Sequence, residues 1–307
     1  MQNSTLGDIA VLALELVPAA IFGLAGKRSG QAAERWPRWL KIFLPLACVL
    51  PYLLVAVPHQ MFSWRWLGLY AALPVALAWL LTASAAADPE QRGNWRDAFV
   101  LLALGLPVDL RWFEGAWPTG LAGLGKLLLV DAGLYGFVVI RQLRGAGFDF
   151  HFRWKDWKTG LRELAFFAPI VIGLGLALRF LQPHTNAPRP SMILIWAYIF
   201  IFIAVPEELF FRAWLQNLLE QRLGSWFASR RDPAAASRAA RITALLIASV
   251  LFGLSHFNKR SPTFNCRYVL LATIAGIFYG RAWRQDRRVP ASAITHASVD
   301  AIWTLWF

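Results

Sequence analysis

Residues 191–212 read SMILIWAYIFIFIAVPEELFFR. Ser191 to Ala204 is an uninterrupted apolar run, and Glu207 and Glu208 then follow where hydrocarbon is expected. An ionisable group inside a membrane segment is costly, so each needs a named partner and marks a functional hypothesis. Glu208 and Arg212 are four residues apart, so on a helix they share a face and pair. Glu207 lies about 100° further round, off that face, and its carboxylate is the one turned to chemistry. Pro206 suits the first turn of a helix, and a break there would put both glutamates at a positive helix terminus.

The surrounding composition agrees with a membrane setting. The chain has 307 residues, 57% of them hydrophobic and only 16% charged, with a mean hydropathy of +0.46. Globular domains run near about a quarter charged. The length would suit two soluble domains, but the apolar runs follow one another too closely for that. A formal charge of +13 invites a nucleic-acid reading. The Lys and Arg residues, however, sit between apolar runs and not along one face, so positive-inside topology accounts for them and no nucleic-acid partner is expected. Cys48 and Cys266 lie in or beside apolar runs and support neither a disulfide framework nor a zinc ribbon. The first apolar run, Asp8 to Gly26, lacks a preceding Lys or Arg, contains Glu15, and is followed by Lys27 and Arg28. That order predicts an uncleaved first span with its N-terminus outside.

Candidate spans are Ile9–Gly26, Leu40–Val57, Leu67–Ala87, Ala98–Leu110, Leu121–Ile140, Leu161–Leu181, Ser191–Trp214, Ile242–Phe257, Tyr268–Trp283 and Ala291–Phe307. They predict an all-α fold, a polytopic transmembrane helix bundle of about 8–10 spans with a polar intramembrane cavity. The fourth and last are short enough to be tilted, re-entrant or half-spans. Basic loops at Lys27–Lys41, Arg141–Arg162, Arg212–Arg241 and Arg281–Arg288 fall on one side, expected to be cytoplasmic, with Lys259, Arg260 and Arg267 as the exception. Phe148, Phe150, Phe152, Trp154 and Trp157, interleaved with Arg153, Lys155 and Lys158, predict a strip at the headgroup level. Leu215 to Arg241, with Arg222, Arg230, Arg231, Arg238 and Arg241, is expected to be a solvated or lipid-surface helix. Residues 1–160 are expected to form N-terminal transmembrane helices of unassigned role, and residues 161–307 a helix bundle that carries the polar motifs of residues 207–300.

Of five histidines, His59, His151 and His184 lie in loops or at span ends and receive no role. His256 closes the eighth span, four residues after Phe252, so ring and imidazole share a face. A histidine bonded to a carbonyl at a span end would account for it equally well. His296 lies in the last span, four residues before Asp300, and two polar groups on one face of an apolar helix are costly without a purpose. By 1.5 Å per residue, Glu207 and His296 count to the cytoplasmic half and His256 deeper.

Glu207, His256, His296 and Asp300 are thus polar groups from three helices in apolar surroundings. A carboxylate and two imidazoles suffice to deprotonate a water and stabilise an oxyanion. Ser255 adjoins His256 and points elsewhere, and no G-x-S-x-G pattern is present, so a serine mechanism is not expected. Two His and one Glu also match a catalytic zinc set with one open position, although the spacing is not H-E-x-x-H. Two readings from other classes use the same residues. One is a catalytically silent membrane scaffold or immunity-type protein. The other is a proton-coupled transporter with a Glu–His relay, against which the absence of inverted repeats counts.

EELFFR fits the E-E-x-x-x-R motif of the CAAX-protease and bacteriocin-processing (CPBP) family of intramembrane proteases. FGLSH, Phe252 to His256, fits its F-x-x-x-H motif, and HASVD, His296 to Asp300, its H-x-x-x-N/D motif, in the family's order. The resemblance covers Ser191 to Phe307, while the first half matches only as a run of spans. The whole chain looks like the bacterial CAAX-prenyl-protease-related branch. The resemblance implies an intramembrane endopeptidase in which Glu207 activates water shared with His256. It implies further that His296 and Asp300 bind the oxyanion and that Glu208 and Arg212 hold the helix and the electrostatics. Asp300 departs from the commoner Asn: an ionised Asp cannot donate, so it either stays protonated or orients His296. The family resembled works without a bound metal, so no cofactor is expected, zinc being the alternative. The implied partners are the bilayer and a membrane-anchored peptide or protein substrate, in eukaryotic relatives a prenylated tail. The Ala-, Arg- and Trp-rich composition points to a multi-pass protein of a bacterial inner membrane.

Overall fold

The computed structural model describes residues 6–184, 190–230, 232–259 and 264–307. Arg231 and Arg260, assigned above to basic loops, lie outside the described residues. Among the described residues the chain is helical and holds no strand. That is what apolar surroundings favour, because a helix satisfies its backbone hydrogen bonds internally.

Two compact units divide the chain, Met1–Leu143 and Arg144–Phe307. In the first lie α1 (Leu6–Glu34), α2 (Arg38–Ala56), α3 (Trp64–Ala87), α4 (Trp95–Asp109) and α5 (Ala122–Ile140). In the second lie α6 (Trp154–Ala177), α7 (Ser191–Ala228), α8 (Pro233–Leu254), α9 (Cys266–Asp286) and α10 (Val289–Trp306). Each of the ten expected spans is a helix, but seven of them are long and apolar enough to cross a membrane. The other three are α4, at 15 residues, the charged α9, and α10, which carries His296 and Asp300 among Ser and Thr.

In the first unit, the indole of Trp117 donates a 2.7 Å hydrogen bond to the Tyr70 hydroxyl, and Tyr52 packs against both rings. Asn94 caps α4 by accepting from the amides of Arg96 and Asp97, and Asp97 returns a bond to the Asn94 amide, so orphan donors at the helix start are satisfied. Arg141 is buried, and its charge is compensated by Asp88 at 2.5 Å and Asp97 at 3.1 Å. Burial pushes the Asp88 carboxyl up. The Arg92 and Gly93 amides and the Arg141 guanidinium outweigh it and hold the group below the usual carboxylate range. His59, given no role above, pairs with Asp8 at 3.0 Å.

In the second unit the long helix α7 corrects two expectations. The chain does not break at Pro206: residues 191–228 form one helix of 38 residues, and the glutamates lie in its middle, not at a terminus. An internal proline lacks the N–H for its helical bond and crowds the carbonyl four residues back, here that of Phe202. π-Helical stretches at Phe200–Ala204 and Leu209–Gln216 flank Val205–Glu208 and take up that misfit by local widening. Nor is Leu215–Arg241 a separate surface helix. It is the end of α7, with Asn217, Leu218 and Glu220 buried, and the start of α8, whose first amides bond to Asp232.

Helix α10 is the centre of this unit. Every residue from Val289 to Ser298 is buried, and the helix packs on α6, α7 and α9. Small residues permit the close crossings. A Cβ on Gly160 of α6 would lie 2.7 Å from the Ile294 side chain and 2.9 Å from the Ala291 carbonyl. A Cβ on Gly253 of α8 would lie 1.9 Å from Thr273 Oγ1 and 2.6 Å from the Val269 carbonyl of α9. The turn into α10 is pinned by Arg288. It donates to Asp156 at 2.8 Å and Asp149 at 2.6 Å, and to the carbonyls of Asp149 and His151. In the strip that leads into α6, Phe152 and the first helical residue, Trp154, are exposed, as a headgroup-level role requires.

Candidate active site

Glu207 and Glu208 are adjacent on α7 and point about 100° apart. The separation sends them to different tasks. Glu208 is fully buried, and its Oε2 accepts a 3.0 Å bond from Nε of Arg212, also fully buried. The expected i,i+4 pair is therefore present. The same carboxylate also accepts from the Ser292 hydroxyl and, through Oε1, from Nδ1 of His296 at 2.8 Å. Arg212 in turn lies over the Phe252 ring at 5.3 Å and reaches Gln216 Oε1 at 3.4 Å.

His296 is thereby fixed at one ring nitrogen. With Glu208 ionised, Nδ1 is the donor, and Nε2 turns to Glu207 Oε2 at 3.9 Å and Asp300 Oδ2 at 3.5 Å. Its ring stacks on Tyr279 with centroids 4.5 Å apart and an interplanar angle of 16°. Phe252 meets it edge-on at 5.7 Å. Glu208 holds the ring at Nδ1. Asp300 lies on the Nε2 side, and its side chain is 29% exposed.

His256 does not belong to the span assigned to it. Helix α8 ends at Leu254, and the histidine occupies the turn that follows. Its Nδ1 donates to the Phe252 carbonyl at 2.8 Å, the carbonyl bond foreseen for a span-end histidine. That bond leaves Nε2 as the basic nitrogen. Ser255 bonds to the same carbonyl at 2.8 Å and approaches His256 Nδ1 at 3.1 Å, so its hydroxyl is occupied locally. The imidazole packs between Phe252 and Tyr268, each 4.9 Å away.

Glu207, His256, His296 and Asp300 all line one cavity of about 260 Å³ within the second unit. The wall around these polar groups is largely apolar. Phe167, Val171, Leu271, Ile302 and Trp303 make most of it hydrocarbon and aromatic, with the polar groups gathered among them. Aromatic packing continues behind it through Phe167, Phe211, Phe252, Phe278 and Tyr279. Glu208 and Arg212 stand behind the wall as its support. His151 and His184 lie elsewhere, the first on Asp149 at 2.7 Å and the second on the Trp306 carbonyl through its own amide.

Three participants were missed. Ser292 is four residues before His296 and so shares its helix face, a spacing that could have revealed it. Tyr279 and Lys259, both at the cavity, carry no such signal. Among the described residues no group of three or more His, Cys, Asp or Glu is arranged to hold a metal ion.

Residues 189–302 match the family model described as type II CAAX prenyl endopeptidase, Rce1-like. The matched segment holds all six candidate residues. No curated protein and no solved structure matches the chain.

Proposed function

We propose that the Rce1-like type II CAAX prenyl endopeptidase domain at residues 189–302 makes this multi-pass protein an intramembrane endopeptidase that hydrolyses a peptide bond of a membrane-associated polypeptide. One observation carries the reading: Glu207, His256 and His296, from three separate motifs, meet at a single cavity. Glu207 takes a proton from a water molecule that also bonds to Nε2 of His256, and the water oxygen attacks the substrate carbonyl carbon. As negative charge builds on the carbonyl oxygen, His296 in its protonated form donates to it from Nε2, with Glu208 and Asp300 as counter-charges. The proton held by Glu207 then passes to the amide nitrogen as the C–N bond breaks, giving a carboxylic acid, which keeps the water's second proton, and an amine.

Hydrolysis in this scheme needs no metal. The base and the oxyanion donors are all side chains, and among the described residues no group of three or more His, Cys, Asp or Glu is arranged to hold a metal ion. The apolar wall suits a substrate that enters from the bilayer, which in the organism would be a bacterial inner membrane.

The test is Glu207→Gln in proteoliposomes carrying a membrane-anchored reporter peptide. Cleavage is expected to fall below detection while the protein inserts and unfolds as the wild type does, and a chelator is expected to leave wild-type cleavage intact. Retained cleavage by Glu207→Gln overturns the reading. If no reporter is cleaved and Glu207→Gln lowers only stability, the same polar set supports helix packing in a silent scaffold.

A further inference from the structure

Glu15, the acid that interrupts the first apolar run, lies in α1 and is only 2% exposed. Both of its carboxylate oxygens are shut off from solvent, and neither has a hydrogen-bond partner. Asp88 and Asp97 of the same unit differ, since Arg141 compensates them. Glu15 is nine residues beyond Leu6, about 14 Å along the helix. The helices packed on α1, which are α2 and α5, are described throughout.

The surroundings of Glu15 sharpen its need for a counter-charge. Helix α5 carries a second buried acid, Asp131, and the charge of Asp131 acts on Glu15. Among the described residues, no Lys or Arg is a source of the field at Glu15. The field of the two acids reaches Cys48 of α2, and that of Glu15 reaches Tyr70 of α3, neither of which brings a positive charge. Taking one unpaired carboxylate out of water is already prohibitive, and a like charge beside it adds to the cost. The compensating charge then has to come from outside the chain. Among the described residues no group of three or more His, Cys, Asp or Glu is arranged to hold a metal ion, so a many-liganded divalent site is not built here. What remains is a cation of single charge.

We infer that Glu15 is the seat of a small singly charged cation, a proton or an alkali-metal ion, with Asp131 as the second negative charge. The chemistry common to both occupants is a carboxylate inside a membrane helix that exchanges its hydration for one positive charge. This gives the first unit a binding function of its own, and it does not depend on the peptidase reading.

The probe is N,N′-dicyclohexylcarbodiimide, applied to the full-length protein in detergent, with adducts located by peptide mass mapping. A protonated carboxyl adds its O–H across one C=N bond, and the adduct rearranges to a stable N-acylurea with nothing expelled. An ionised carboxylate, or one that holds a metal ion, does not react. In choline chloride near neutral pH the adduct is expected on Glu15. Undiminished labelling in sodium chloride of the same ionic strength assigns the site to a proton, and several-fold protection assigns it to the alkali ion. Either result supports the proposal. Asp131→Asn is expected to cut the Glu15 adduct several-fold at the pH where the wild type is half labelled, because one negative charge fewer holds the proton. The reagent needs access, so the unfolding midpoint is followed as well, across pH and between choline and sodium. The Glu15→Gln midpoint should respond less than that of the wild type, and such a divergence without an adduct still places the cation at Glu15. No adduct together with parallel midpoint profiles overturns the proposal, as does a Glu15 adduct indifferent to Asp131→Asn.

Discussion

Nδ1 of His296 donates a 2.8 Å hydrogen bond to Oε1 of Glu208, joining two residues 88 positions apart. The second acid of the pair therefore serves three partners at once, because its other oxygen accepts from Arg212 at 3.0 Å and from the Ser292 hydroxyl. The first acid, Glu207, is left on the cavity side with its carboxylate 3.9 Å from the other nitrogen of the same imidazole. Two neighbouring glutamates thus have separable duties, and substitution should separate them.

Glu208→Gln leaves the guanidinium of Arg212 buried without its counter-charge. Breaking a buried pair in this way costs about 3–5 kcal/mol. The unfolding midpoint in detergent is expected to drop sharply, while Glu207→Gln should move it little because its side chain is partly exposed at 13%. Equal midpoints for the two variants would contradict the assignment of duties.

Tyr279→Leu removes the ring that stacks on His296 at 4.5 Å, whereas Tyr279→Phe keeps it. The loss of stacking is expected to cost about 1 kcal/mol beyond burial and to loosen the imidazole. Cleavage rates should therefore fall for Leu and hold for Phe. A fall of the same size for both would assign the effect to the hydroxyl.

Gly253→Ala tests the approach of α8 to α9 just before His256. The new methyl would meet Thr273 Oγ1 at 1.9 Å and the Val269 carbonyl at 2.6 Å. Overpacking of this kind costs about 1–3 kcal/mol. Thr273→Ala in the same chain should restore part of the lost stability, since the backbone carbonyl remains in the way. Full recovery would mean that the backbone contact is slack.

Asp149 connects pH to the pinning of α10. Burial raises its carboxyl, but bonds from His151 and from Arg288 outweigh this and bring it down to about 2. A depressed acid contributes stability that is complete above its unfolded value, about 3.9, and is lost as pH falls through about 2. Between those values the unfolding midpoint of the wild type should decline, and Asp149→Asn should flatten that part of the profile. Parallel profiles for the two proteins would assign acid sensitivity to another group.

Local reasoning reached as far as one helix reaches. The apolar runs dictated a helical membrane protein, since no other backbone arrangement within those lengths satisfies itself in hydrocarbon. Spacing alone paired Glu208 with Arg212 and placed Phe252 beside His256, because the periodicity of a helix decides which side chains share a face. What a single helix cannot specify is which faces meet. That the Glu208 carboxylate would hold His296, that Tyr279 would stack on that ring, and that Lys259 would line the same cavity depended on how α7, α9 and α10 pack against one another. The passage of α7 through Pro206 was likewise settled in three dimensions, by π turns on either side of a residue whose local chemistry argues for a stop.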